Sequence, residues 1–489
     1  MTENYIYKMY EWEVLPYDFT KGTWHCQSIN MINKPIQSLS IHRNKDLSIS
    51  MIANIKHDKL IPKSQHQLGE IISDFEKIQI YNDVGASGTA IATHISNNTL
   101  TYDENANPIN KAIISIEELE VNYSDSTVLH TIEWITNLRT ENNWRWSDSI
   151  NMSLKGKFKK EFSSKSDTIS IERENTIGLG VSVACLKFAV EGEVFFIGET
   201  KTDAIDSKYC PGFILYQGAP SNEKMEQIRL ALSYTLGRFF PSLGYSRFDE
   251  KWDIVSYKCV DPYDIEKRVY TSQTKPPPLK LNCSDFDPIN ASIVSKSVES
   301  FCLKFNTYDL KHISWLYWHA VTSPVHVKAS QFGATIEAIQ RNYIEVNEQS
   351  FQTKLLKKEE WKKIKKELID AIEALLPNAP DSKESNEKSI IKNKIYNLNQ
   401  TPQSEMTKRF FEVLELSLSE FEEKAFQQRN YSAHGGKGPP AGFSTTKNNR
   451  ILRTLLNRIL IKILNMSHFY IDYYSEGYPQ RNIKEPIGT

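Results

Sequence analysis

The chain has 489 residues and a formal net charge of −1, which favours an ordinary folded protein and excludes a single small core. Its six cysteines are scattered without paired spacing, so neither a zinc site nor a disulfide framework is predicted. There is no signal-peptide pattern and no apolar run of membrane-spanning length. The sequence therefore predicts a soluble, cytoplasmic protein of two or three domains with no membrane partner.

Residues 1 to about 270 are predicted to form mostly β-strands, because short β-branched and aromatic runs alternate with Asn, Asp, Ser and Gly. These runs are Leu47–Ile55, Ile114–Tyr123, Thr127–Thr136, Thr168–Arg173, Val181–Phe188 and Val194–Thr200. Their spacing predicts an antiparallel sandwich or barrel. One helix interrupts them, with apolar residues at helical steps from Met225 to Phe239 between Ser221 and Pro241. Residues 245–249 and 252–257 then form a predicted hairpin.

Three consecutive prolines, Pro276 to Pro278, mark the predicted domain boundary, since consecutive prolines join neither a ladder nor a helix interior. Beyond them the apolar residues recur with helical period. We therefore predict an α+β multidomain chain: a β-rich, sandwich- or barrel-like domain at 1–273, a linker at 274–300 and an all-helical bundle at 301–489.

Within the bundle, the apolar spacing predicts five helices, and the polar stretch 378–388 is predicted to be an exposed loop. The predicted helices cover residues 310–320, 327–343, 361–375, 406–425 and 452–466. Between the last two, the chain places Arg429, Asn430 and His434 and then a Gly/Pro-rich stretch that ends the helix.

These three residue types suit cleavage of RNA without a metal or cofactor. Histidine moves protons near neutral pH, and arginine offers a fixed, permanently charged fork to phosphate oxygens. Positions five apart on a regular helix are separated by about 140°, so one chain would not face both Arg429 and His434 towards one phosphate unless the helix breaks between them. A two-fold homodimer would pair two such sets. The same residues also fit a structural role, with Arg429 in a salt bridge, Asn430 capping and His434 bonded to a final carbonyl.

The region from residue 429 to the end is basic, with nine Lys or Arg against three Asp or Glu, a net charge of +6. This asymmetry suits a polyanionic partner, although a solvated basic helix face explains it equally well. The residues near the motif that we expect to contact RNA are Lys437, Lys447, Arg450 and Arg453, with Tyr431 as a stacking or supporting side chain.

An Arg-Asn-x-x-x-His arrangement between the last two long helices of a helical domain resembles the HEPN ribonuclease superfamily. The segments that resemble its ApeA-like anti-phage branch are Tyr317–Ala320, Ala334–Ile339, Leu236–Arg238 and Gly244–Asp249. The resemblance implies a metal-independent endoribonuclease with a composite dimer site that leaves a cyclic phosphate and a 5′-hydroxyl. It also implies catalytic roles for Arg429, Asn430 and His434, and a supporting role for Glu337.

The resemblance further implies a role in anti-phage defence by abortive infection, in which host RNA such as tRNA is cut after the N-terminal domain binds a phage-derived trigger. Many members of this superfamily bind RNA or scaffold partners without cutting, so a dimeric, non-catalytic RNA-binding protein remains the alternative. A third interpretation starts from Glu199 and Lys201, because an acidic-x-Lys tripeptide at a strand end is typical of Mg²⁺-dependent DNA nucleases. That site needs a second carboxylate, for which Glu191 or Glu193 is proposed.

Overall fold

The computed structural model describes residues 10–15, 24–32, 34–56, 75–102, 104–138, 148–177, 181–262, 273–274, 276–282, 287–375, 382–433 and 445–488. The Cα positions divide the chain into two compact units, Met1–Leu303 and Lys304–Thr489. The first unit is rich in strands and the second is mainly helical. This confirms the predicted α+β multidomain class.

In the described part of the first unit, fourteen strands form one antiparallel sheet. The strands are β1 (Trp24–Cys26), β2 (Ile36–Arg43), β3 (Ile49–Ile55), β4 (Glu76–Asn82), β5 (Ser87–Tyr102), β6 (Pro108–Asn122), β7 (His130–Ile135), β8 (Asp148–Ser163), β9 (Thr168–Ile177), β10 (Val181–Val190), β11 (Glu193–Glu199), β12 (Gly212–Gln217), β13 (Ser242–Phe248) and β14 (Ile254–Val260). Each of the six predicted runs overlaps one strand, and the predicted hairpin corresponds to the β13–β14 pair.

Strand β3 pairs with both β2 and β6, which closes β3-β2-β1-β4-β5-β6 into a ring. The sheet continues from β6 through β14-β13-β7-β12-β11-β10-β8-β9. The sequence predicted either a sandwich or a barrel, and this closed ring of strands is barrel-like. Closure leaves β3 without an open edge on either side, which removes a site for unwanted strand pairing.

The ring core follows from side-chain alternation along its strands. On β3, every second residue from Ile49 to Ile55 is buried. On β6 the buried series shifts between Ile116 and Leu119, where Ile91 pairs with Glu118 but the next residue of β5, Ala92, pairs with Ile116. An extra residue in one strand is a β-bulge, and it restores the apolar side chains beyond it to the core.

The short segment 10–15 is hydrogen-bonded to several strands and loops of the first unit through Tyr10 and Glu13. The Tyr10 hydroxyl donates to the Trp252 carbonyl at 2.8 Å, and Lys160 Nζ donates to the Tyr10 carbonyl at 2.6 Å. The Glu13 carboxylate is buried and accepts two bonds from the Arg43 guanidinium of β2 at 2.5 and 2.9 Å. The segment therefore joins the ring to strands outside it through buried, paired polar groups.

Acidification is expected to destabilise the first unit through His130. Its ring stacks on Trp252 with centroids 4.0 Å apart, and burial lowers the pKa of His130 below its usual value. Because the folded pKa lies below the unfolded value of about 6.5, the unfolded chain binds the proton more readily as pH falls, and stability decreases below about pH 6.5. His130→Phe, which keeps a stacking ring, should reduce the fall in urea midpoint between pH 7.5 and 5.5. His94→Phe, at an exposed position of β5, should leave it unchanged.

The described part of the first unit includes the α-helices α1 (Asn222–Leu236) and α2 (Ala291–Leu303). Helix α1 begins where Ser221 Oγ accepts from the Lys224 N–H at 3.1 Å, and it ends at Gly237, whose φ of +67° is left-handed. A Cβ atom at position 237 would also lie 2.9 Å from the Pro277 backbone. Both the left-handed conformation and the lack of space for a side chain therefore favour glycine. This confirms the helix predicted between Ser221 and Pro241.

Helix α2 packs on the first unit, although most of it lies in the predicted linker 274–300. Ser295 Oγ accepts from the Ala189 N–H at 2.9 Å, and the rings of Tyr234 and Phe301 lie 6.3 Å apart. The proline segment therefore precedes the last helix of the first unit, and the division between the units falls after Leu303.

The described residues of the second unit contain seven helices and a two-stranded ladder. They are α3 (Leu310–Thr322), α4 (Val325–Val346), α5 (Lys358–Leu375), α6 (Ser382–Asn397), α7 (Gln403–Val413), α8 (Glu420–Ala433), α9 (Thr445–Leu464), β15 (Phe469–Ile471) and β16 (Gln480–Asn482). The predicted loop at 378–388 is wrong from residue 382 onward, where α6 begins. In the described ranges, no helix combines the length and apolarity needed to cross a membrane.

Candidate functional site

Helix α8, which carries Arg429 and Asn430, is separate from α7, although the sequence predicted one helix over 406–425. Helix α7 ends at Val413; Glu415 then has a φ of +54°, and the Leu416 N–H donates to the Phe411 carbonyl at 2.9 Å. This is a left-handed helix terminus, which the apolar spacing did not reveal.

A capping box begins α8. The Glu422 N–H donates to Ser419 Oγ at 3.3 Å, and the Ser419 N–H donates to Glu422 Oε2 at 2.9 Å. Each side chain thus satisfies a backbone N–H that has no partner within the helix. Glu420, Glu422 and Glu423 also lie in the first turn, where carboxylates interact favourably with the helix dipole.

The catalytic residues expected from the sequence lie at the other end of α8. The helix covers positions 429, 430 and 431, and the structure describes only the backbone there. His434 and Lys437 lie outside the described residues. The structure therefore places Arg429, Asn430 and Tyr431 inside α8, near its C-terminal end, where the sequence had predicted a position between two helices. The geometry of the motif stays a prediction.

A buried ion pair joins α8 to α9. Arg458 Nη1 donates to Glu422 Oε1 at 3.0 Å, and Arg458 Nε donates to the Ile483 carbonyl at 2.8 Å. Both side chains are fully buried. Burial raises the pKa of Glu422, and the Arg458 guanidinium opposes that shift. Arg458, one of the nine cations counted from residue 429 to the end, therefore does not belong to a solvated basic helix face.

Three helix ends meet at one end of the bundle. Asn449 Nδ2, in the first turns of α9, donates to the carbonyl of Val325, the first residue of α4, at 2.9 Å. Two residues separate the end of α3 from the start of α4, and Lys328 Nζ donates back to the Val321 carbonyl at 2.8 Å. The last turn of α3 and the first turns of α4 and α9 are therefore neighbours.

The Glu422–Arg458 pair indicates that the motif lies near this same end. For antiparallel neighbours, each step along α8 from Glu422 is matched by one step back along α9 from Arg458. Eight steps bring position 430 level with Arg450. Helix α8 contacts both α4 and α9. We call the end of the bundle formed by 319–322, 325–328, 429–433 and 445–453 the motif end.

The predicted RNA-contacting cations have different surroundings at the motif end. Lys447 and Arg450 are exposed in the first two turns of α9. Arg453 differs from them, because its guanidinium lies 3.6 Å from the centroid of the Tyr473 ring and its Nε and Nη2 atoms are buried. Arg453 is half-buried and in a cation–π contact, so fewer of its donors are exposed than those of Lys447 and Arg450, and its contact with RNA stays a prediction.

The motif end is formed by two long stretches of sequence that contain no carboxylate. From Lys424 to Ile471 the chain has eight Lys or Arg and no Asp or Glu. From Leu310 to Ile336, over α3 and the first half of α4, it has two lysines and three histidines and again no Asp or Glu. Asp309, which accepts from the His312 N–H at 3.4 Å, and Glu337 flank the second stretch, so the positive charge lies between them and favours an anionic ligand there.

A groove of about 920 Å³ lies between α7 and α8. It is lined by Gln403, Ser404, Thr407, Lys408, Phe411, Glu412, Glu415, Leu416, Ser417, Leu418, Glu423, Phe426, Gln427 and Lys484. Three carboxylates and two lysines give it mixed charge, which does not favour a polyanion. Position 430 is one turn beyond 426 and 427 on the same side of α8, so the described lining of the groove reaches to within one turn of the motif.

Glu337, the supporting residue expected from the resemblance, lies half-buried on α4. One turn further along, Gln340 is buried, and its Oε1 accepts from Thr407 Oγ1 at 3.3 Å and from Gln403 Nε2 at 3.5 Å. Thr407 and Gln403 both line the groove. Glu337 therefore lies on the side of α4 that is closest to α7, one turn nearer the motif end than Gln340.

The arrangement around Glu199 does not match the metal-nuclease interpretation. Glu199 ends β11, whereas Glu193 begins it and Glu191 precedes it in the hairpin with β10. Glu199 is six positions after Glu193 along the strand, which corresponds to about 20 Å at 3.3 Å per residue. Glu191 instead pairs with Lys224 at 2.9 Å. Neither proposed second carboxylate is close to Glu199. Over the described ranges, no three His, Cys, Asp or Glu side chains are grouped to hold a metal.

Comparison with known proteins adds no relative: no family model matches the chain, and no curated protein and no solved structure is significantly similar to it. The functional conclusion therefore depends on the motif, the fold and the charge distribution.

Proposed function

We propose that the chain is a metal-independent endoribonuclease of the HEPN type, with its active site at the motif end of the second unit. The observation that carries the proposal is the position of the Arg429–Asn430 motif. It lies near the C-terminal end of α8, and from the Glu422–Arg458 pair we infer that it is level with the exposed Arg450 of α9. The stretches 310–336 and 424–471, which form this end, contain no Asp or Glu. An anionic polymer would be attracted to such a surface.

In the proposed reaction, the 2′-oxygen of RNA attacks the adjacent phosphorus while the 5′-oxygen leaves. The products are a 2′,3′-cyclic phosphate and a 5′-hydroxyl. His434 transfers protons, Arg429 binds the non-bridging oxygens, and Asn430 orients the phosphate or the backbone. Lys447 and Arg450 attract the flanking phosphates. Two copies related by a two-fold axis would supply two sets of these residues to one site.

The biological setting belongs to the same proposal. Cleavage of host RNA, with a structured RNA such as tRNA as the expected substrate, would stop growth of a phage-infected cell. The β-rich first unit would bind the phage-derived trigger. Its separation from the helical unit into a compact body of its own supports a division between sensing and cutting.

Wild-type protein incubated with total RNA in EDTA is expected to cut the RNA and leave cyclic phosphate and 5′-hydroxyl ends. An oligonucleotide with 2′-deoxy at the cut position should resist, since it lacks the attacking oxygen. Gel analysis and end-specific ligation would measure both results. Intact RNA that is nevertheless bound would favour the non-catalytic scaffold, and cleavage abolished by EDTA would contradict a metal-independent mechanism.

A further inference from the structure

An exposed ladder of three rings lies along α3. The Trp315 ring lies 6.0 Å from that of His312 at an interplanar angle of 11°, and 4.2 Å from that of His319. His319 Nδ1 bonds to the Trp315 carbonyl at 2.7 Å, which fixes the imidazole beside the indole. These three residues, which we call the α3 ladder, are spaced three and four apart, as one helix face requires.

The α3 ladder is not part of the core. On the opposite side of α3, Ile313 and Tyr317 are buried in the bundle, whereas Trp315 keeps 47% of its surface exposed. At the start of α4, Val325 and Val327 are also exposed, at 47% and 41%. A large indole exposed to solvent, on the helix that precedes two exposed valines, indicates a binding surface.

Charge decides which partner suits this surface. The ladder lies within the stretch 310–336, which contains only cations and histidines as charged or titratable side chains besides tyrosine. A basic protein or a like-charged copy of the same surface would meet repulsion there. A nucleic acid offers both of the complementary features, since its bases stack on aromatic rings and its phosphates favour positive potential.

The distance to the proposed active site is short. Thr322, the last residue of α3, is seven positions after Trp315, which corresponds to about 10 Å of helix. The end of α3 is joined to the first turn of α4, and α4 is joined to α9 by the Asn449 bond. The ladder therefore leads along one helix to the motif end.

We propose that the α3 ladder is a stacking platform for an unpaired base of the RNA, next to the nucleotides that are cut. A duplex keeps its bases stacked within the helix, so the platform selects single-stranded segments such as loops. This inference rests on RNA being the partner in the proposed function, but it does not require that the protein cuts the RNA.

The test is binding of a fluorescein-labelled, single-stranded 2′-O-methyl oligonucleotide to the full chain, measured by fluorescence anisotropy. The 2′-O-methyl group prevents cleavage, so binding is observed separately from catalysis. Trp315→Ala should raise Kd at least about 5-fold, the lower end of what one base–aromatic stack contributes. Trp315→Phe should bind nearly as well as wild type. Trp315→Leu should resemble Trp315→Ala, because it keeps the apolar bulk without the ring.

Tyr396→Ala is the matched control, since Tyr396 is a half-exposed aromatic residue on α6 of the same unit. It should leave Kd unchanged. Wild-type affinity in Trp315→Ala, equal weakening in Tyr396→Ala, or full binding by Trp315→Leu would overturn the platform even if the wild type cuts RNA. Absence of any binding by the wild type would overturn it too, while the EDTA assay decides separately whether the chain is a nuclease.

Discussion

Replacing His434 with alanine is expected to lower the rate of RNA cleavage by about 10²- to 10⁴-fold, the usual contribution of a positioned acid–base group. In a reaction without a metal, a proton must leave the 2′-hydroxyl and another must reach the 5′-oxygen. Among the motif residues only the imidazole exchanges protons near neutral pH. Single-turnover cleavage of a labelled RNA loop, in EDTA and with enzyme in excess, would measure the rate.

His468→Ala provides the matched control for that experiment. His468 is an exposed histidine beyond the C-terminal end of α9, away from the motif end, and its removal should leave the rate unchanged. Arg429→Lys adds a second comparison: lysine keeps the charge but lacks the two-pronged fork, so an intermediate rate is expected. Equal rates in the wild type and in His434→Ala, with both proteins folded, would end the case for this motif as the catalytic centre.

The strands of the first unit could be located from sequence because alternation is a local property. Thr168 to Glu172 alternates clearly and lies in β9, and the helix between Ser221 and Pro241 was marked by a cap at each end. Ring closure was not predictable in that way. It depends on Ile49 of β3 meeting Ile116 of β6, a pairing across 67 residues that no local pattern encodes.

The errors among the helices have a similar origin. The apolar series from Met406 to Ala425 continues across the break, but Glu415 adopts a left-handed conformation and starts a new helix direction. Helix α6 was missed at 382–388 because that polar stretch carries no apolar stripe. Helical spacing reports which residues share a face, and it does not report where the chain turns.

At the site, the sequence located the cationic residues but not their burial. Lys447 and Arg450 are exposed, as expected for a polar helix face. Arg453 and Arg458 are on the same helix with similar spacing, yet both contact partners from distant segments. Arg453 is half-buried against the Tyr473 ring, and Arg458 is fully buried with Glu422. A signal for Glu422 was present, since Ser-x-x-Glu before an amphipathic helix is a capping box.

The largest stability effect is expected from that buried pair. Arg458→Met leaves Glu422 buried without its cation and should lower the free energy of unfolding by about 3–5 kcal/mol. Glu422→Gln should destabilise in the same direction while keeping the capping box, since glutamine also caps at that position. Urea denaturation followed by circular dichroism would measure both. Arg450→Met, at an exposed position on the same helix, should change stability by less than about 0.5 kcal/mol.

The double variant separates the pair from its parts. Once Glu422 is replaced by leucine, Arg458→Met no longer strands a charge, so the two changes together should cost much less than the sum of the single ones. Because the pair fixes the start of α8 against α9, the single variants should also lower RNA cleavage under conditions where most of the protein is still folded. If Arg458→Met proves no more harmful than Arg450→Met, the pair does not hold the two helices together, and the register that brings position 430 level with Arg450 loses its physical basis.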